Sequence, residues 1–203
     1  MSSPRRELLF PSPLYLSRPA GTAALRAALR ETLATEARST SGVRQSNVGG
    51  WHSAPDLLER REEPFPALAA LLVDGLRGVL AAECTARGRT VDPALKIAGF
   101  GWGMVMERGH YSQPHHHGEA HWACAFYVDA GEPDGEPPAG HLTFLDPRGA
   151  VGRADPLDLF PGRQDVRPAD GVLVYFPGWL VHHVHPHQGA RARISVSANF
   201  VLG

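Results

Sequence analysis

Gln113-Pro114-His115-His116-His117-Gly118-Glu119-Ala120-His121 is the stretch on which the reading of this chain turns. It lies between two apolar runs that read as strands, Leu95–Glu107 and Trp122–Val128. In extended chain, side chains two residues apart point the same way, so His115 and His117 can address one metal ion together. His117 and Glu119 form a second pair of the same spacing. About 65 residues on, Phe176-Pro177-Gly178-Trp179-Leu180-Val181-His182-His183-Val184 offers a distal third ligand, His182. A near pair plus a distant histidine is how a facial metal site is assembled on a β barrel, and three protein ligands leave open positions for chemistry. Taken alone, the triple histidine would serve equally as a solvated loop.

The end of the chain carries the next signal. Arg193, Ser195, Ser197 and Asn199 alternate with Ile194, Val196, Ala198 and Phe200, a period of two that predicts a strand with one polar and one apolar face. If the polar face points into the barrel, Arg193 and Ser195 form a carboxylate clamp, because guanidinium binds carboxylate through two parallel hydrogen bonds. Further short apolar runs predict strands near His141–Leu145, Gly171–Phe176 and His182–His185, with segments 129–140 and 146–170 as surface loops.

The first 92 residues read differently. Leu8–Phe10 and Leu14–Leu16 flank a Pro-Ser-Pro break and suit a sheet edge. Thr22 can cap a helix carrying Leu25, Leu29 and Leu33, ending near Arg38. A polar loop is expected over Ser39 to Ser53, a short helix from Pro55, and a longer one from Pro66 whose Leu68, Leu71, Leu72, Leu76, Val79 and Leu80 form one stripe. The architecture expected is α+β, a single domain over 1–203 with helical support in 1–92 and a β core in 93–203.

Composition narrows the function. Lys+Arg 20 against Asp+Glu 21 gives a net charge of -1, without the positive surplus that nucleic-acid or anionic-membrane binding needs. The contiguous apolar runs, such as Ala67 to Val73, fall short of the roughly 20 residues of a membrane span. Cys84 and Cys124 have no zinc or disulfide spacing and fit a reduced, cytoplasmic setting. Of 11 histidines, ten lie between His110 and His187, which concentrates metal chemistry in the second half.

These residues resemble the iron(II)/2-oxoglutarate-dependent oxygenases, whose fold is a double-stranded β-helix of the jelly-roll or cupin kind. Gly109-His110-Tyr111 followed by Pro114-His115-His116-His117 resembles the Gly-x-x-Tyr…Pro-His-x-Asp motif of prolyl-hydroxylase-like members. Ala139-Gly140-His141-Leu142-Thr143-Phe144 is similar to their Gly-rich hairpin strand, Pro168 through His182 to their distal-histidine strand, and Arg193-Ile194-Ser195 to their Arg-x-Ser. The pattern is similar in particular to a subgroup of about 200 residues, from Leu9-Phe10-Pro11 through Gly49-Gly50-Trp51-His52-Ser53 to Ser197-Ala198-Asn199-Phe200. Met104 and Ser112 stand where that subgroup tends to carry asparagine.

The resemblance implies an enzyme that uses Fe(II), 2-oxoglutarate and O2 to oxidise a substrate C–H bond, most simply by hydroxylation. It implies iron on His115, His117 and His182, with Glu119 as the reserve second ligand, since starting the motif at His117 puts Glu119 in the carboxylate slot. Arg193 and Ser195 would hold the distal carboxylate of 2-oxoglutarate, with Tyr111 and Tyr127 as further contacts. Trp51, His52, Trp102, His121 and Trp179 are the candidate contacts to a small-molecule or peptide-like substrate, and an exposed N-terminal edge leaves room for a homodimer. Two other readings stay open: a three-histidine cupin-type dioxygenase that does not use 2-oxoglutarate, and a non-catalytic β-barrel binding module.

Overall fold

A computed structural model describes residues 10–132, 135–149, 157 and 161–203. The element order is β1 (Tyr15–Ser17), α1 (Ala23–Ser39), β2 (Asn47–Val48), β3 (Trp51–His52), α2 (Phe65–Ala86), β4 (Ile97–Met106), β5 (Tyr111–His115), β6 (Trp122–Asp129), β7 (Leu142–Leu145), β8 (Arg163–Val166), β9 (Leu173–Pro177), β10 (His182–Val184) and β11 (Arg193–Leu202). They form a six-stranded sheet, β1-β9-β6-β11-β4-β3, and a five-stranded sheet, β2-β5-β10-β7-β8. Every pairing is antiparallel. The two sheets enclose a cavity and the helices cover the outside of the larger one. This is the double-stranded β-helix expected from the sequence.

Strand periodicity divides the apolar residues into two cores. Ile194, Val196, Ala198 and Phe200 of β11 join Phe126, Val128, Leu173 and Tyr175 beneath the helical Leu29, Leu33, Leu68, Leu72 and Leu76. The alternate positions of β4, β6 and β9, including Trp102, Met104, Ala125, Tyr127 and Phe176, pack between the sheets with Leu142, Phe144 and Val184 of the smaller sheet. The larger sheet is therefore buried on both faces. Gly103 of β4 shows how closely α1 approaches: a Cβ there would meet Leu33 at 2.6 Å.

The two helices follow the expected stripes. Thr22 does not cap α1 through its side chain, however; its hydroxyl donates to the Pro19 carbonyl at 3.3 Å, and its own carbonyl accepts from Arg26 N. Helix α2 begins one residue earlier than expected, at Phe65. As a whole helix it is long and apolar enough, by length and composition, to cross a membrane, which the contiguous runs did not reveal. Here it lays Phe65, Leu68, Leu72, Leu76, Val79 and Leu80 into the core.

Three expectations need correction. No helix starts at Pro55; residues 55–59 form turns, because the Leu57 amide is taken by the Gly101 carbonyl of β4. The stretch 39–53 is not all loop: β2 pairs with β5 and β3 with β4, and Gly49 and Gly50, at φ 66° and 57°, carry the chain from one sheet to the other. Segment 146–170 contains β8, an edge strand hidden in the sequence because Arg163, Gln164 and Asp165 are polar and only Val166 is buried. Of the Leu8–Phe10 piece, Leu8 and Leu9 lie outside the described residues and Phe10 is in a bend, while the Leu14–Leu16 piece appears as edge strand β1 against β9.

Leu33→Ala is expected to cost about 2–5 kcal/mol in denaturant unfolding, from lost burial plus a cavity. Gly103→Ala alone should cost about 1–3 kcal/mol by overpacking, and clearly less in the Leu33→Ala background. Additivity of the two would show that the contact does not constrain packing.

Candidate metal centre and its cavity

The smaller sheet brings the distal histidine against the near one. His182 of β10 pairs directly with His115 of β5, and His117 follows just after β5 ends, its amide donating to the Gly178 carbonyl at 2.8 Å. The ligand nitrogens of His115, His117 and His182 all lie within 4.8 Å of one another, the one such group of three donors among the described residues. Ring centroids are 4.4 Å apart for His115 and His182 and 4.8 Å for His117 and His182. Glu119 is outside this group, on the exposed turn after Gly118.

Hydrogen bonding sets which nitrogens are free. His182 Nδ1 is 2.8 Å from the Leu180 carbonyl and His115 Nδ1 is 2.7 Å from the Gln113 carbonyl. A carbonyl only accepts, so each Nδ1 carries the hydrogen and each Nε2 presents a lone pair, the arrangement that orients metal-binding histidines. Burial, reinforced by the neighbouring imidazoles, holds His117 and His182 down to about 3. The same two causes lower His115, opposed by its bond to Gln113. All three are neutral donors at ordinary pH, as metal ligation requires.

A cavity of about 390 Å³ runs between the sheets past this cluster. Arg193, Ser195, Ser197 and Asn199 of β11 all line it. Arg193 is only 3% exposed. One of its terminal nitrogens donates to the Gly140 carbonyl at 3.3 Å, its guanidinium carbon stands 5.0 Å from the centre of the Tyr127 ring, and its Nε has no partner. Tyr127 Oη is likewise buried and unpartnered, and burial raises its pKa against the pull of Arg193. A buried guanidinium served by one carbonyl and an aromatic face is costly. The natural remedy is a carboxylate guest.

The other expected contacts divide. His52 and Trp102 line the cavity, their rings stacked at 5.5 Å. Trp51 packs with the helical core and donates its indole N–H to Thr40 Oγ1. His121 Nδ1 accepts from Leu202 N, Trp179 is half exposed, and Tyr111 pairs with Val48; none of these lines the cavity. The sequence reading passed over Val43, Pro55, Phe100 and Asn199, which do. For Asn199 the signal was available, since it continues the inward series from Arg193. Met104 and Ser112 also line the cavity.

Three convergent neutral imidazoles and a buried arginine without a counter-ion, in one jelly-roll cavity, make a site able to hold a first-row metal ion beside an anion. Residues 101–199 match the family model described as "Putative 2OG-Fe(II) oxygenase". Over that segment, just under half of the chain, the sequence matches the 2OG-Fe(II) oxygenases, a family whose cofactors are Fe(II) and 2-oxoglutarate, and the three-histidine group lies within it. Among curated proteins, none matches the sequence.

Solved structures with the same fold include a prolyl-4-hydroxylase from Pseudomonas putida, 18% identical over 92% of this chain and 91% of that one, with a TM-score of 0.60. HygX from Streptomyces hygroscopicus, with nickel and 2-oxoglutarate bound, is 13% identical over 93% and 82%, TM-score 0.60. A prolyl hydroxylase from Trichoplax adhaerens, in complex with a hypoxia inducible factor peptide fragment, is 10% identical over 92% and 82%, TM-score 0.61.

The lowered histidines fix the sign of a pH effect in the metal-free protein. His117 and His182 titrate near 3 when folded and near 6.5 when unfolded, so below 6.5 the unfolded state binds more protons. Stability is therefore expected to fall as pH drops from about 6.5 toward 3, by at most about 1.4 kcal/mol per pH unit for each histidine. Urea midpoints from pH 7 to 5 measure this, and His117→Ala should flatten the slope.

Proposed function

We propose that this chain is an oxygenase that holds Fe(II) on His115, His117 and His182, anchors 2-oxoglutarate on Ser195 and on Arg193 backed by Tyr127, and hydroxylates a C–H bond of a small-molecule or peptide-like substrate. The observation that carries the reading is the shared cavity, with three neutral imidazoles on one wall and an uncompensated guanidinium on the facing strand. The donor set fits the metal, since imidazole suits first-row divalent ions including iron. The orphaned Arg193 Nε fits the co-substrate, whose distal carboxylate would satisfy it, with the buried Tyr127, outside the cavity lining, backing the guanidinium.

When bound, the iron and co-substrate supply O2 activation coupled to oxidative decarboxylation of 2-oxoglutarate to succinate and carbon dioxide, with oxidation of the substrate. The protein's own contributions are positional. His115 and His182 keep their Nε2 lone pairs aimed by the carbonyls of Gln113 and Leu180. Arg193 neutralises the far carboxylate inside a water-poor space, and Ser195 stands on the same strand face to donate a hydrogen bond to it. Phe176 and Trp102 pack against His117 and restrict its ring, at centroid distances of 6.0 and 5.6 Å. Residues 1–203 act as one domain in this reading, and the unpaired Cys84 and Cys124 suit a cytoplasmic site of action.

Anaerobic addition of Fe(II) and 2-oxoglutarate should produce a metal-to-ligand charge-transfer band, and admission of O2 should yield succinate. No band at saturating co-substrate would sink the proposal. His117→Ala should abolish iron retention while Glu119→Ala leaves it intact; the opposite pattern would move the second ligand to Glu119. Arg193→Met should retain iron but weaken 2-oxoglutarate by about 2–5 kcal/mol, some 30-fold or more in Kd by titration of the band.

A further inference from the structure

The inward residues of β11 occur every second position, about 6.7 Å apart. Their partners on β4 are Met106 for Arg193, Met104 for Ser195, Trp102 for Ser197 and Phe100 for Asn199. The ring of His117 is 5.6 Å from that of Trp102, which sets the histidine cluster near the Ser197 level. The cavity therefore has two halves. Arg193 and Ser195 line the cavity on one side of the cluster and Asn199 and Phe100 on the other, while Trp102 stands level with the cluster and carries the stacked His52 ring, beside which Val43 and Pro55 complete the wall.

Three properties of the second half point to what enters it. First, it is flat and apolar. Phe100 and Trp102 have centroids 6.0 Å apart, and Trp102 is stacked on His52 at an interplanar angle of 10°. Phe100 and Val43 remain 42% and 37% exposed despite being apolar, so a guest laid against them removes that surface from water. Second, it carries no fixed charge. No Asp, Glu or Lys lines the cavity among the described residues, and Arg193 is three inward positions from Asn199. An ammonium or carboxylate brought here would lose hydration without gaining a counter-ion. Third, it contains one unsatisfied amide. Asn199 is 6% exposed, stands in the cavity wall, and its Oδ1 makes no hydrogen bond. Such a group is retained at a cost unless something pairs with it.

We infer that the substrate is an uncharged molecule that lays a flat apolar or aromatic face along Phe100 and Trp102 and hydrogen-bonds Asn199 through an amide or hydroxyl group at its edge. This rests on the reading that Arg193 takes 2-oxoglutarate and so leaves only this half for substrate. Asn199 is then the specificity-determining residue.

The test uses the anaerobic protein with Fe(II) and 2-oxoglutarate and three probes that share one ring: N-acetyl-L-phenylalaninamide (neutral), N-acetyl-L-phenylalanine (anionic) and L-phenylalaninamide (cationic). Binding is read both as perturbation of the charge-transfer band and as quenching of tryptophan fluorescence. The neutral probe should bind at least roughly tenfold more tightly than either charged one. Asn199→Leu should raise its Kd about 3- to 10-fold, the worth of one neutral hydrogen bond, with the band itself unchanged. Equal or tighter binding of a charged probe, no binding of any probe at roughly 10 mM, or indifference to Asn199→Leu would overturn the inference. Loss of the band with the fluorescence preference retained would instead overturn the 2-oxoglutarate reading and leave the neutral, Asn199-gated cavity standing.

Discussion

The alternation along β11 is the constraint on which the rest of the molecule depends. One strand must serve a helical core on one face and a polar cavity on the other, and a one-residue slip would exchange them. Such a slip would put Arg193 among the leucines of α1 and α2 and Phe200 into the cavity. Full pairing with β4 from Arg193 to Leu202 on one side, and with β6 on the other, holds the register. The buried leucines and the buried arginine are thus two consequences of one pleat.

The smaller sheet applies the same rule to the histidines. His182 and His183 are neighbours in sequence, yet the pleat sends His182 to the cavity and leaves His183 facing His185, their Nε2 atoms 3.2 Å apart. His187 is held by the Arg191 carbonyl and the Glu107 amide donates to His110 Nδ1. The histidine excess is therefore mostly structural, and three of its members converge because cross-strand pairing joins His115 to His182 and the bond from the His117 amide to the Gly178 carbonyl brings in the third.

How much of this could be read from sequence follows the same physics. Long alternating runs such as Arg193–Leu202 and Ile97–Met106 announce themselves, because both faces are buried and differ in polarity. The His-x-His spacing and its distal partner were legible for the same reason. Short edge strands were not: β2, β3 and β8 have too few residues, or too polar a set, to impose a period, and pairing with a neighbour alone creates them. The aromatic candidates fared unevenly since a tryptophan's size says that it packs, and only strand parity says where. Trp51 and Trp102 both lie on the larger sheet, one toward the helical core and one toward the cavity.

The cavity also divides its electrostatic labour. At Arg193, the proposed seat of the co-substrate, a fixed cation with unmet hydrogen-bonding capacity favours an anion in a definite orientation. Beyond the histidines the wall has no counter-ion to offer, so a second molecule of the same charge would gain nothing there and lose its hydration. On the proposed reading, two guests entering one space would be sorted by charge before shape matters, the dianion to Arg193 and the neutral apolar guest to the wall of Phe100, Trp102 and Asn199. A substrate that needed its own salt bridge would compete for Arg193, and the absence of any second charged group among the described lining residues is what keeps the two sites distinct.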